Sequence, residues 1–254
     1  MSMAQFFSYS DHCVDDNPMY LFDCKFGSTA PDLAGDYVVP PYFEDLLGLL
    51  GPDKRPDFRW LIIGGARTGS KWHIDPNSTN AWNTTITGSK LWIMLPPLST
   101  PPGVHPAPDG SAVAQPVNIL EWFTAYYSAM RRAGLPAVQC ITRPGDTVYV
   151  PCGWWHLVLN LEPYTIAVTQ NYISRRNLLT ALDFIRKTPH LVSGIDVARG
   201  SKTPAVIADR LEAAFEAAHP GELDTLRAAH EAATRPSPWA AATSTGDRGF
   251  SFGF

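Results

Sequence analysis

His73, Ile74 and Asp75 form a His-x-Asp step, and a second histidine, His156, follows 83 positions later in Gly153-Trp154-Trp155-His156. On an extended strand, residues i and i+2 share a face, so His73 and Asp75 can reach one ion together. Two imidazoles and one carboxylate on one side of an octahedral ion leave three positions open, the arrangement of non-haem Fe(II) centres that activate O2. Zinc accepts the same residue types, although structural zinc sites close four ligands and favour cysteine. Cys152 stands four residues before His156 with no second cysteine in place, so it reads as packing in a tight turn. The bland alternative for His73 and Asp75 is a hydrogen-bonded structural pair, and the surrounding sequence has to decide between the two.

The elements that must position these residues are mostly strands. Tyr20 to Asp23 reads as a short strand, Gly27 to Pro41 as irregular, and Phe43 to Leu50 as a helix stopped at Gly51-Pro52. From Arg59 the pattern turns to β, with Arg59 to Ile63, a glycine-rich link at Gly64 to Gly69, and Trp72 to Asp75. Ala81 to Thr87 and Lys90 to Leu95 flank Gly88-Ser89, which predicts a type II′ hairpin. In that register Thr87 faces Lys90, Thr85 faces Trp92 and Asn83 faces Met94. Asn83, Thr85, Thr87 and Lys90 then share one face, with Ile86, Leu91, Ile93 and Leu95 on the other.

Pro96 to Pro116 holds seven prolines and reads as a surface insertion with a solvated His105. Asn118 and Glu121 have capping-box spacing, opening a helix to Gly134. The β pattern resumes at Asp146 to Val150, then Trp154 to Leu161 and Thr165 to Ile173. His156, Val158 and Asn160 share a face, as do Thr165, Ala167, Thr169 and Asn171, while Leu157, Leu159 and Leu161 point away. A small barrel with a polar, working interior accounts for both strands. From Arg176 the chain turns helical, with Ala205 to Ala217 and Glu222 to Ala233 as helices and Thr243 to Phe254 as a tail whose Phe250, Phe252 and Phe254 could dock.

Composition bounds the function classes. The chain has 254 residues, 45 % of them apolar, and a formal charge of −4, so one sizeable core is expected and a nucleic-acid surface is not. Its four cysteines (Cys13, Cys24, Cys140 and Cys152) contain no Cys-x-x-Cys pair and do not suggest a secreted disulfide framework. Neither a signal peptide nor an apolar run of membrane-spanning length is read in the sequence. The expectation is an intracellular protein of nucleus or cytoplasm.

Strands joined by short links, one long insertion and a metal motif split between distant strands predict a mainly β fold, a double-stranded β-helix or cupin-like jelly roll with flanking helices and a C-terminal helical segment. Residues 1–58 are expected to pack on the barrel, 59–174 to form its core with the insertion at 96–117, 175–242 to be helical and 243–254 a tail. The segments Trp72-His73-Ile74-Asp75-Pro76, Ala81-Trp82-Asn83, Gly88-Ser89-Lys90, Pro144-Gly145-Asp146-Thr147, Val150-Pro151, Gly153-Trp154-Trp155-His156 and Asn160-Leu161 resemble the Jumonji-C oxygenases. They are most similar to the branch of arginine demethylases and lysyl hydroxylases, the phosphatidylserine-receptor-like proteins. Asp16 to Asp23 and Ala167 to Asn171 resemble that branch too, and the likeness runs from Asp15 to about Phe184.

The resemblance implies His73, Asp75 and His156 as iron ligands. Lys90 would hold the distal carboxylate of 2-oxoglutarate, helped by Thr169 and Tyr20, with Asn83 and Asn160 beside the cofactor. Ser70 stands where the branch has threonine and keeps the hydroxyl. An Fe(II)- and 2-oxoglutarate-dependent dioxygenase is implied, using O2 to hydroxylate lysyl side chains or to demethylate N-methyl arginine or lysine on histone-like, basic protein substrates. The alternative is a catalytically silent cupin serving as a scaffold. The C-terminal helices are a candidate homodimer interface. The branch usually adds polybasic stretches for nuclear entry and RNA contact; this sequence has none, which speaks against RNA binding and against nuclear residence.

Overall fold

The structure, a computed structural model, describes residues 1–52, 54–195 and 203–234. In chain order it contains helix α1 (Met3–His12), strand β1 (Tyr20–Asp23), short helices α2 (Phe26–Thr29) and α3 (Pro31–Gly35), strands β2 (Arg59–Gly64), β3 (Gly69–His73), β4 (Asn80–Thr87) and β5 (Lys90–Leu95), and the two-residue strands β6 (His105–Pro106) and β7 (Val113–Ala114). Helices α4 (Ile119–Trp122) and α5 (Ser128–Arg132) follow, joined by a π-helical stretch at Phe123–Tyr127. Strands β8 (Val138–Thr142), β9 (Thr147–Val150), β10 (Trp155–Asn160) and β11 (Thr165–Tyr172) precede helices α6 (Leu178–Lys187), α7 (Pro204–Ala218) and α8 (Glu222–Thr234). The tail expected at 243–254, with Phe250, Phe252 and Phe254, lies outside the described residues.

Two antiparallel sheets face each other, a five-stranded one in the order β1-β2-β11-β4-β9 and a four-stranded one in the order β3-β10-β5-β8. The short links β2 to β3, β4 to β5, β8 to β9 and β10 to β11 all step from one sheet to the other. That is the winding of a jelly roll, and the fold class expected from sequence stands.

The hairpin at Gly88-Ser89 does not. β4 pairs with β11 and β9, and β5 with β10 and β8. Both strands are interior, with both ladder edges occupied, so neither has an edge left for the other. Gly88 supplies the positive φ of 76° that a tight turn asks for, and a Cβ there would overlap the Tyr164 carbonyl oxygen of the neighbouring crossing. The turn is local, whereas the choice of partner is decided by which faces must be buried. Thr87, expected beside Lys90 on the polar face, is exposed, whereas Asn83, Thr85 and Lys90 are buried.

Three other expectations change. Gly27 to Pro41 is partly helical, and the helix expected over Phe43 to Leu50 is a 3-10 turn at Leu46–Leu50. Strand β8 had no sequence expectation, because its alternation is weak: Ile141 is exposed and only Thr142 is buried. The proline-rich insertion is anchored rather than purely superficial. Val104 is buried, Gln115 Nε2 donates to the Trp72 carbonyl (2.9 Å) and Trp122 Nε1 to the Pro102 carbonyl (2.8 Å). His105 is exposed, as expected.

Apolar packing covers both outer faces and leaves the space between the sheets for polar groups. Ile93, Leu95, Leu157 and Leu159 pack outward against Trp122 and Met130 of the α4–α5 helix. Phe26, with Phe43, closes over Trp82, Val168 and Tyr172 on the other sheet. Ile207, Ala208, Leu211 and Phe215 of α7 join Leu182 and Ile185 of α6 and the Leu46–Leu50 turn in a separate core.

Gly69 fixes the register that matters most. At φ 149°, it sits where a Cβ would overlap the Val158 carbonyl oxygen, beside the irregularity that shifts β3 against β10 and sets His73 opposite His156. Gly69→Ala is expected to cost about 2–4 kcal/mol through strain and steric overlap. In a chain of this size that lowers the melting temperature by roughly 5–15 °C, as read by calorimetry; an unchanged melting temperature would contradict this account of the bulge.

Candidate metal and cofactor site

His73 closes β3 and His156 lies next to the start of β10, and the ladder pairs the two directly. Asp75, expected on the strand with His73, lies beyond its end. β3 ends at His73, and Asp75 stands two residues beyond it at φ −61°, ψ 143°, still extended, where the chain enters the turn at Pro76–Ser78. Extended backbone keeps the alternation that brings its carboxylate to the histidines. His73 Nε2 and His156 Nε2 lie 3.9 and 3.8 Å from Asp75 Oδ1, and one ligand atom from each residue falls within 4.8 Å of the others.

Tautomers follow from the other ring nitrogens. His73 Nδ1 is 2.7 Å from the Lys71 carbonyl and His156 Nδ1 is 3.1 Å from the Trp154 carbonyl. A carbonyl only accepts, so each Nδ1 carries a proton, and in the neutral ring Nε2 then presents a lone pair. Burial first, then the neighbouring His73, push the His156 imidazole down to about 4 against the opposing pull of Asp75, so it is neutral. Two lone pairs and a carboxylate thus converge with no proton between them, and the second carboxylate oxygen, Asp75 Oδ2, is buried without a hydrogen-bond partner. Such a cluster of acceptors is unfavourable until a cation occupies it. The donor set fits a metal ion.

A cavity of about 250 Å3 holds this cluster, and Tyr20, Ser70, Asn83, Lys90 and Thr169 also line it. Lys90 is 1 % exposed, and among the described residues no carboxylate lies within ion-pair range. Its Nζ donates to Asn160 Oδ1 (2.9 Å), whose Nδ2 donates to Thr68 Oγ1 (2.8 Å). Burial pushes the Lys90 amine down to about 7. Asn160 therefore supports Lys90 from behind. Tyr20 places its ring 5.9 Å from Lys90 Nζ, and burial raises its hydroxyl's pKa. Thr169 Oγ1 donates to the Trp82 carbonyl (2.8 Å), and Asn83, opposite it on β4, has a buried Oδ1 without a partner.

Every residue singled out from sequence is therefore at or directly behind one cavity. Sequence reading passed over Thr68, the end of the Lys90 relay, and the stacked pair Phe22 and Trp60, whose ring centres are 5.4 Å apart on the same cavity wall. Phe22 alternates with Tyr20, so the strand period could have found it. Trp72, Trp82, Trp154 and Trp155 do not line the cavity, whereas Trp92 does and stacks 6.3 Å from His156.

Fold and site together define the class: the chain belongs to the cupin-like domain family, whose model matches residues 1–177, and the resemblance to its Jumonji-C oxygenases is borne out by individual relatives. The chain is 47 % identical to an arginine-specific demethylase of Arabidopsis thaliana over 92 % of its own length and 46 % of the relative's. It is 40 % identical to a bifunctional arginine demethylase and lysyl-hydroxylase of Caenorhabditis elegans over 70 % of its length and 46 % of the relative's. A 2-oxoglutarate and iron-dependent oxygenase of Mus musculus is 28 % identical over 66 % of the chain and 40 % of that protein. The chain thus spans less than half the length of these relatives.

Proposed function

We propose that the protein is an Fe(II)- and 2-oxoglutarate-dependent dioxygenase that oxidises a protein side chain. The observation that carries this reading is the meeting of three proton-free acceptor groups with a buried, carboxylate-free lysine in one cavity. The first group asks for a cation, the second for an anion, and a keto diacid chelating a metal supplies the anion at a distance from the ion. Bound iron and 2-oxoglutarate would supply the activation of O2 and the electrons for it. Zinc would suit the same ligands, and the iron-dependent relative supports iron.

The chain's own residues then have separable tasks. His73, Asp75 and His156 would hold the ion. Lys90, fixed by Asn160 and Thr68, takes the far carboxylate, with Tyr20 and Ser70 beside it. Asn83 offers an unused amide, and Thr169 shapes the wall between them. Trp92 and Val158 line the same cavity and would limit water's access to a bound ion. Phe22 and Trp60 form an apolar wall facing a substrate side chain.

The substrate is proposed to be a basic protein segment, by hydroxylation of lysine or by hydroxylation of an N-methyl group on arginine or lysine with loss of formaldehyde. The names of the relatives support both outcomes. No helix among the described residues is long and apolar enough to cross a membrane, and four free thiols suit a reducing compartment, nucleus or cytoplasm. A homodimer through the C-terminal helices would use the exposed side of α8, since α7 spends its apolar stripe on its own chain. The decisive test is succinate release from 2-oxoglutarate without added substrate. The parent protein is expected to show slow uncoupled turnover that His73→Ala abolishes. No turnover in either, with no metal-dependent binding of 2-oxoglutarate, would favour a scaffold. Mass spectrometry of basic peptide pools then separates a gain of oxygen from a loss of methyl.

A further inference from the structure

Asp75 is followed by an unusual turn. Asn77 and Ser78 are both in the left-handed region, at φ 57° and 51°, and neither is glycine. Consecutive left-handed residues with side chains cost free energy and persist only where their surroundings hold them. Asn77 is held by a reciprocal pair, its Nδ2 donating to the Ser193 carbonyl and its Oδ1 accepting from Ser193 N, both at 3.0 Å. The Ser78 carbonyl accepts from Asn177 Nδ2 at 2.9 Å, and the Ser78 side chain meets the Cys152 thiol.

Asn177 reaches further than this turn. Its Oδ1 accepts from Asn80 Nδ2 (2.7 Å) and from Ser174 N (2.8 Å). Asn80 in turn accepts from Cys152 N through its own Oδ1 (2.9 Å). Cys152 belongs to the turn that ends at Trp154, whose amide donates to the Pro151 carbonyl and whose carbonyl orients the His156 ring. One 6 % exposed amide at the start of α6 therefore ties down both the turn carrying Asp75 and, through Asn80, the turn carrying the support of His156.

We infer that Asn177 is a positioning residue for the metal-binding group: by clamping the Ser78 carbonyl with its amide nitrogen and Asn80 with its amide oxygen, it sets where Asp75 and His156 stand relative to each other. The inference rests on the metal-site reading above. It also gives the C-terminal helical region a role in the site, because α6 packs on α7 and the Leu46–Leu50 turn, so the clamp stands on a core separate from the barrel.

Titration of the chelated, folded protein with Co(II), followed by its absorption bands, tests this without turnover. The parent is expected to bind one ion, and His73→Ala to lose it. Asn177→Ala is expected to weaken binding about 10- to 100-fold, the size of effect that supporting partners of metal ligands have, with altered absorption bands. A purely structural asparagine would lower the melting temperature and leave the affinity of the folded protein alone. Affinity within twofold of the parent overturns the inference. Should Asn177→Ala not fold, Asn177→Asp keeps an acceptor for Asn80 and Ser174 and replaces the donor to Ser78 with an oxygen that repels the Ser78 carbonyl; it is expected to weaken binding as well, and parent-like affinity overturns the inference equally. Failure of the parent itself to bind Co(II) would sink the metal reading along with it, whereas equal binding by parent and variant sinks the positioning role alone.

Discussion

Asp75→Ala is expected to weaken metal binding by more than about 100-fold, since loss of a supporting partner alone costs 10–100-fold and Asp75 supplies a ligand atom and the group's only negative charge. Turnover should fall to background. Stability without metal should behave in the opposite way. Asp75 Oδ2 is buried without a partner, and its Oδ1 faces two imidazole nitrogens that present lone pairs. Alanine therefore removes a partly buried carboxylate whose Oδ2 has no hydrogen-bond partner, so the metal-free melting temperature should hold or rise. With ion at about 100 times its dissociation constant, the parent should gain about 2.7 kcal/mol, a rise of roughly 5–10 °C, and the variant none. Calorimetry with chelator and with Mn(II) reads both halves. A metal-induced rise in the variant equal to the parent's would mean that the ion binds elsewhere.

Much of this site was legible in the residues because its chemistry is local in type even where it is distant in sequence. His73 and Asp75 carried their spacing with them, and the polar faces of Trp154 to Leu161 and Thr165 to Ile173 pointed to an interior space with polar side chains, which the cavity between the sheets provides. The predicted hairpin puts Lys90 on one face with Asn83, yet the two stand on opposite sheets, Asn83 on β4 and Lys90 on β5. They share the cavity because each sheet turns its polar face inward, which alternation shows without any register. Pairing itself was not legible, since the Gly88-Ser89 signal describes a turn and not a partner. Strand β8 escaped notice because its outward side is half-exposed and carries no period. The clamp at Asn177 lies still further from view, as it joins residues 97 positions apart through amide geometry that composition does not encode.

Lys90→Met is expected to produce the largest change in cofactor binding and a paradoxical gain in stability. The Lys90 ammonium has one asparagine acceptor and, among the described residues, no carboxylate within ion-pair range, so the empty protein bears the desolvation cost and the bound diacid relieves it. A methionine of similar length removes that cost. Because burial lowers the amine from 10.5 to about 7, the folded and unfolded chains are both protonated below pH 7 and the full penalty applies there. Between about pH 7 and 10 the unfolded chain binds one more proton than the folded chain, so parent stability rises with pH. The variant should thus exceed the parent most at pH 6 and converge on it as pH climbs. Binding of 2-oxoglutarate, measured by calorimetry on Mn(II)-loaded protein without oxygen, should show the mirror image. Above pH 7 the parent must take up a proton to bind a dianion, so its affinity should fall towards tenfold per pH unit. In Lys90→Met the affinity should be lower by about 2–5 kcal/mol at pH 7, the usual cost of leaving one charge of a buried pair alone, and its dependence on pH should flatten. A variant that binds 2-oxoglutarate within threefold of the parent, with the same pH slope, would show that the far carboxylate is held by something other than Lys90.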